Sequence, residues 1–516
     1  MHDILIKKGT VVDGTGESSK VCDIAINDDM ITEMGDLSGD HAHEIIDAEG
    51  LVVAPGFIDI SNRSDTRWRL FSDPTLESLM YQGITTIIGG NSGTSLAPIY
   101  NEEMMQSMRK WLDVGTINIS WQNMAEFLSV IDAQHLAVNF GTFVGYGTLR
   151  RGLTGDISRA LTHTEEISIA KHISESLKQG AFGVSTGLVY SHEKKVTTEE
   201  LVNIGKIVAK HNGLFVAHLR DEGDHILESI EEVMDIQKQT SARMHISHLK
   251  VMQKDNWSDM AKAINRIEKT TVVYDVYPYT FSATVLYTFL PEWISDGGRR
   301  MMLERLHNKK LRERVIKEMA QGHDLSNAVV AETLHSHFFC GKTFQEIAKK
   351  QGVSVNEAVI NVLVASEGQV VVFYEGMSEE NVVRGIQGKN SVISTNGTGY
   401  TIQKHNENIE HPRSFGAFPR VYARYVQNEQ KISLETMIHK STGKVAQELG
   451  ITNRGIIKAG AVADIAIFDP HVYADQSYAY DAYQYAKGVQ WLIISGQMAI
   501  KYGKYTGVRV GKVLRK

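Results

Sequence analysis

Four polar residues with chemical potential each follow a short apolar run in this chain. His218 ends the run Leu214-Phe215-Val216-Ala217, and His248 ends Met244-His245-Ile246-Ser247. Ser92 follows Thr85–Gly90, and Asn396 follows Asn390–Thr395. An imidazole at the end of a strand can ligate a metal or move a proton. A lone histidine there is more often an ordinary polar residue, but two of them, each after an apolar strand, make a shared site a real alternative. His335-Ser336-His337 with Cys340 is a second set of ligating types. In a strand, 335 and 337 would share a face and 340 would lie on the other. A short His tract without a fourth ligand is usually incidental.

The elements that must position these residues alternate. Apolar strands follow helical stretches at 167–179, 199–211 and 225–239, and Thr271–Tyr277 reads as a further strand. Alternation over residues 55–454 predicts an α/β domain of parallel strands with crossover helices. Its expected closed form is a TIM-type (β/α)8 barrel, with the site at the C-terminal strand ends. Residues 285–350 fit this rhythm less well, and the charged amphipathic stretch 299–317 is expected in an insertion near the barrel mouth. Short strands with turn signals in 1–54 return in 455–516, which predicts a small β-sandwich domain built from both termini.

The totals bound the partners. The 516 residues carry a net charge of −7 with no basic run, which argues against nucleic acid. Cys22 and Cys340 are the only cysteines, so no disulfide framework is expected. No apolar run reaches the roughly 20 residues that span a bilayer, and the start lacks the apolar core of a signal peptide. These features predict a cytoplasmic protein without a membrane partner; self-association as a homo-oligomer stays open.

Several runs together carry a family resemblance. They include APGFID (54–59), GNSGTSLAP (90–98), GAFGVSTGLVY (180–190), AHLRDEGD (217–224), ISHLK (246–250), YPYT (277–280) and HPRSFGAFPR (411–420). Through them the chain resembles the N-acyl-D-amino-acid deacylases (D-aminoacylases) of the amidohydrolase superfamily over nearly its whole length. The resemblance implies a metal centre whose ligand positions fall on Ser61, Arg63, Ser92, His218 and His248, with a water-activating aspartate at the place of Asn396. Only His218 and His248 keep the family's residue types. Tyr146 stands where members often carry a histidine, within GYGTLR (145–150).

These replacements are coherent as a set. Arg63 puts a permanent positive charge near the metal position. Asn396 removes a carboxylate that a missing cation would leave uncompensated. His218 and His248 alone would bind zinc weakly. The expectation is therefore no cofactor, with zinc as a weak alternative.

Three functions compete. One is a metal-independent enzyme acting on the amide C–N bond of an N-acyl amino acid or a related small anionic amide, by hydrolysis, acyl transfer or cyclisation. In it Ser92 would pair with His218 or His248, the second His or Lys250 would donate a proton, and Arg63 and Asn396 would hold an oxyanion. The second is a catalytically silent ligand-binding or regulatory protein. The third is a mononuclear zinc hydrolase using His218, His248 and an unrecognised ligand. The resemblance assigns Tyr190, Lys250 and Tyr279 to the acyl-amino acid, and Arg220 and Tyr146 join them as candidates. The plain alternative makes Arg220 and Glu222 a structural ion pair, and Glu222 and Arg413 are expected to be structural.

Overall fold

A computed structural model describes residues 1–105, 118–402 and 408–516. Eight parallel strands follow one another in chain order. They are β1 (Phe57–Asp59), β2 (Ile84–Gly89), β3 (Asn139–Thr142), β4 (Gly183–Gly187), β5 (Leu214–His218), β6 (Arg243–Ile246), β7 (Val273–Val276) and β8 (Ser391–Ile393). Strands β1 to β3 pair in parallel, and Val144–Gly145, just beyond β3, pairs with β4. From β4 the ladder runs through β5, β6 and β7 to β8. Nearly every residue of these strands is buried, as expected where helices cover one face and side chains fill the other. The covering helices have encoded starts: Thr162 and Glu165 form a reciprocal capping box on His163–Lys178.

The two ends of this array meet through a side chain. The buried Asp59 carboxylate at the end of β1 accepts from Thr395 N (2.9 Å) and Thr395 Oγ1 (2.5 Å) just past β8. Burial pushes the Asp59 carboxyl up to about 6, against these hydrogen bonds, which favour the charged form.

Both termini enter one nine-stranded sheet. Its path runs through 504–505, 497–501, 489–494, 465–468, 52–55, 2–11, 20–27 and 30–35, with 42–47 also on 2–11. Strands from both ends of the chain share this one hydrogen-bonded sheet. The last residues leave it: Leu514 N donates to Phe140 O (2.7 Å), which returns the chain to β3.

The insertion is larger than 285–350. Between β7 and β8, strands Phe281–Val285, Val370–Glu375 and Val329–Thr333 form an antiparallel sheet. A separate apolar core extends from Leu286 to Tyr374 and includes Ile294, Val315 and Phe344. The helix Val355–Ala365 also packs into it, so this core continues past residue 350. No described helix is long and apolar enough to cross a membrane.

Candidate active site

Three site residues adopt left-handed backbone just past parallel strands. Ser92 has φ 50°, His248 φ 38° and Asn396 φ 46°. This conformation is costly for residues with a Cβ and persists where surrounding contacts impose it. For His248 those contacts are visible: its N–H donates to Asp275 Oδ1 (2.9 Å) and Leu249 N–H to Asp275 O (2.8 Å). Asp275 is buried, which pushes its carboxyl up, but a hydrogen bond from His245, the His245 charge and a hydrogen bond from Ser394 hold it below the ordinary value. Arg63 is held by its own N–H on Gly397 O (2.8 Å).

Arg63, His218, His248 and Asn396 line one cavity of about 310 Å³ between the strand ends and the insertion. The volume suits a small ligand. Arg63 donates from Nη2 to Ser92 Oγ (2.9 Å) and from Nε to Asn396 Oδ1 (3.0 Å). Ser92 Oγ also lies 3.1 Å from His218 Nδ1. The rings of His218 and His248 meet edge to face at 4.4 Å, and Tyr190 stands edge-on to His218 at 5.6 Å. The expected convergence of Ser92, His218, His248, Arg63 and Asn396 is therefore present in the geometry.

Glu222 completes the cluster. Its Oε1 lies 3.2 Å from His248 Nδ1 and 3.7 Å from His218 Nε2. One donor atom from each of His218, Glu222 and His248 lies within 4.8 Å of the others. Burial, then the neighbouring His248, holds the His218 imidazole well below its ordinary value. Burial, then the Lys250 charge, does the same for His248. Both rings are thus neutral near pH 7 and have lone pairs to offer. Two imidazoles and a carboxylate fit a single divalent cation with an open position for water. Lys250 faces the same atoms: its Nζ is 2.5 Å from Glu222 Oε1 and 2.9 Å from His248 Nδ1. Burial lowers the Lys250 pKa, against the opposing pull of Glu222. The other such group among the described residues, His2, Glu33 and Asp40, lies on the terminal sheet.

Two residues expected to be structural belong to this cavity. Glu222 pairs with Lys250, whereas Arg220 pairs with Glu232 through Nε (3.1 Å) and Nη2 (3.0 Å), so the expected Arg220–Glu222 pair does not form. Arg413 lines the cavity and is only 7% exposed, yet its Nε and Nη1 have no hydrogen-bond partner. Its guanidinium lies 5.0 Å from the centre of the Tyr277 ring. Burial holds the Arg413 pKa down, opposed most by Tyr277. A buried, charged donor without an acceptor is costly unless a ligand completes it. The charge separations within AHLRDEGD and HPRSFGAFPR carry no sign of which member faces inward, so local sequence could not single out Glu222 or Arg413.

Tyr190, Lys250 and Arg220 line the cavity as expected. Tyr279 and Tyr146 do not. Tyr279 is buried against His411 (5.2 Å between ring centres), with the Arg420 guanidinium 4.9 Å from its ring centre. Tyr277 lines the cavity instead. Tyr146 is buried in the helix Tyr146–Thr154, where its hydroxyl meets Arg150 Nη1 at 3.3 Å. Of the His335/His337/Cys340 set, His337 and Cys340 approach Asn408, and the described residues form no three-donor group there.

Comparisons with known proteins extend this picture. No family model matches the chain. A D-aminoacylase of Alcaligenes xylosoxydans xylosoxydans is 30% identical, with 99% of this chain and 97% of the relative covered. An N-acyl-D-glutamate deacylase from Bordetella bronchiseptica, solved with zinc and a phosphonate inhibitor, superposes with a TM-score of 0.85 at 26% identity. A D-aminoacylase structure described by its binuclear metal centre, with one-metal activation and second-metal attenuation, gives 0.85 at 28% identity. Both superpositions cover the whole of each chain. These metal-bearing structures, with the His218–Glu222–His248 donors, overturn the expectation of no cofactor. That expectation followed from the replaced positions and took Glu222, four residues past His218, as structural.

Proposed function

The chain belongs to the D-aminoacylase family of amidohydrolases, and from that premise we propose that it hydrolyses the amide bond of an N-acyl amino acid at a single-metal site held by His218, His248 and Glu222. The observation that carries this reading is their meeting in one cavity with Arg413, a buried cation whose Nε and Nη1 lack an acceptor. When bound, a divalent cation supplies Lewis acidity and a water that ionises near neutral pH.

The chain's own groups do the rest. Arg413 takes the substrate carboxylate, with Tyr277 and Tyr190 beside it. Arg63, held between Ser92 and Asn396, faces negative charge as it develops on the carbonyl oxygen. Ser92 steadies both Arg63 and His218. Lys250, released from Glu222 when a cation binds there, supplies the proton for the departing nitrogen. Water adds to the carbonyl carbon, the C–N bond breaks, and the nitrogen leaves with a proton to give a carboxylate and a free amino acid. Tyr190 and the insertion limit solvent access.

The same reading closes the eight parallel strands into a barrel and treats the terminal strands as a separate domain. Support comes from the TM-score of 0.85 and from the Asp59–Thr395 bonds between the two ends of the array.

The test is metal content together with amine release. Protein purified without added metal or chelator is assayed for bound metal and for release of amino acid from N-acetylated D- and L-amino acids. The expected result is about one metal per chain, turnover lost on chelation and restored by zinc, and Glu222→Gln binding zinc at least about tenfold more weakly. Full turnover by metal-free protein, or no release from any substrate, would overturn the reading.

A further inference from the structure

A smaller cavity, of about 60 Å³, lies where the loops flanking β4 meet the insertion. Among the described residues it shares no lining with the strand-end cavity. Arg151 comes from the helix Tyr146–Thr154, Asp156 lies just beyond that helix, and Ser191 follows β4. The insertion contributes Tyr287, Gly298 and Arg299. Arg151 is only 8% exposed. Asp156 Oδ1 lies 2.5 Å from both its Nε and its Nη2. The third nitrogen, Nη1, is buried and has no hydrogen-bond partner among the described residues. A buried guanidinium N–H without an acceptor is costly, and an incoming acceptor relieves that cost.

The opposite wall also favours negative charge. The helix Gly298–His307 starts at this cavity, and no side chain of the described residues caps it. Its first N–H groups add positive potential there. Gly298 has φ 84°, and a side chain on it would collide with Asp156, so glycine lets the helix start come this close. Burial pushes the Tyr287 phenol up, which keeps it a proton donor at neutral pH. Two guanidinium groups face one carboxylate, so one positive charge is in excess. The volume admits an ion of a few heavy atoms and excludes a nucleotide. Tyr287 packs with Tyr190 in one apolar cluster. Tyr190, next to Ser191, and Thr288, next to Tyr287, line the strand-end cavity, so the two cavities lie on either side of this wall.

We infer that this smaller cavity binds a small oxyanion, inorganic phosphate or a short carboxylate, between Arg151 and the start of the helix Gly298–His307. The bound anion accepts from Arg151, Arg299 and Tyr287 and so ties the insertion to the loops around β4. This site is separate from the proposed metal site and needs no turnover for its detection.

Calorimetry on the full chain tests it with sodium phosphate and, separately, sodium acetate at constant ionic strength. Each titration is repeated on two variants. Arg413→Gln removes a cation of the strand-end cavity. Arg151→Gln with Asp156→Asn removes both members of the ion pair and strands neither charge. The expected result is saturable binding that survives Arg413→Gln and weakens at least about tenfold in the double variant, the loss of a charged hydrogen bond. Saturation by phosphate alone, by acetate alone or by both names the anion; saturation by neither overturns the inference. So does loss of binding in Arg413→Gln, or parent affinity in the double variant. If the double variant does not fold, Tyr287→Phe keeps the ring and removes one donor. It should weaken binding at least about threefold, and unchanged affinity would overturn the site. Thermal unfolding gives a second readout: saturating anion should raise the Tm of the parent and leave that of the double variant unmoved, and no rise in the parent would overturn the inference.

Discussion

The Lys250 ammonium lies 2.5 Å from Glu222 Oε1 and 2.9 Å from His248 Nδ1, so it bonds two of the three residues that could hold a divalent cation. Lysine and metal are therefore competitors for one carboxylate and one imidazole. Removing the amine should favour the metal. Lys250→Met is expected to bind zinc at least about tenfold more tightly than the parent in a competition against a chelating dye. Unchanged or weaker zinc binding would show that Lys250 does not share the site.

Arg413 should govern substrate recognition. Its buried guanidinium has two nitrogens awaiting an acceptor. Arg413→Gln removes the charge and keeps hydrogen-bonding capacity, and should lower kcat/KM for N-acyl amino acids by about 100-fold, the ~3 kcal/mol of a desolvated charge pair. Arg413→Lys should recover part of it. Steady-state kinetics with wild-type KM in the glutamine variant would remove Arg413 from the carboxylate site.

Tyr279 gives the opposite outcome. Its hydroxyl is buried without a hydrogen-bond partner and lies off the cavity wall. Tyr279→Phe deletes an unsatisfied polar atom, so thermal unfolding should show stability unchanged or raised, within about 1 kcal/mol. KM should not move. A severalfold rise in KM would return Tyr279 to the substrate.

His245 sets an alkaline limit to stability. It is fully buried, which would lower its pKa, but its hydrogen bond to Asp275 (3.0 Å) and the charges of Asp275 and of Glu448, 3.7 Å away, raise it to about 9. The folded state thus binds a proton that the unfolded chain, with an ordinary value near 6.5, releases earlier. This contribution is complete below about pH 6.5 and disappears as pH rises through about 9. Denaturant unfolding from pH 6 to 10 should show stability falling over that window, and His245→Asn should flatten the slope. A wild-type curve flat across the window would rule out a charged His245.

The positions of Ser92, His218, His248 and Asn396 were legible because each closes an apolar strand, and parallel strands gather their C-terminal ends. Arg63 and Lys250 were legible through the motifs that contain them. Tyr146 and Tyr279 were misplaced because a motif states adjacency along the chain but not which way a side chain turns. In Tyr277-Pro278-Tyr279, which lies past the end of its strand, the two rings face different surroundings, one toward Arg413 and one toward Arg420. The extent of the insertion was underestimated because its last strand, Val370–Glu375, pairs with Phe281–Val285 nearly ninety positions earlier, and long-range pairing leaves no local mark.

By itself, the sequence determined the alternation of strand and helix, the family and the strand-end residues, because these follow from periodicity and short-range order. The tertiary structure alone decided the partners. It gave Glu222 to Lys250 and the two histidines, gave Glu232 to Arg220, and left Arg413 with open nitrogens. Charge pairing depends on distances of a few ångströms between residues far apart in the chain, and burial sets how strongly each pair counts. Both are properties of the packed molecule, and together they turn a set of apparently lost ligands into a site able to hold one metal.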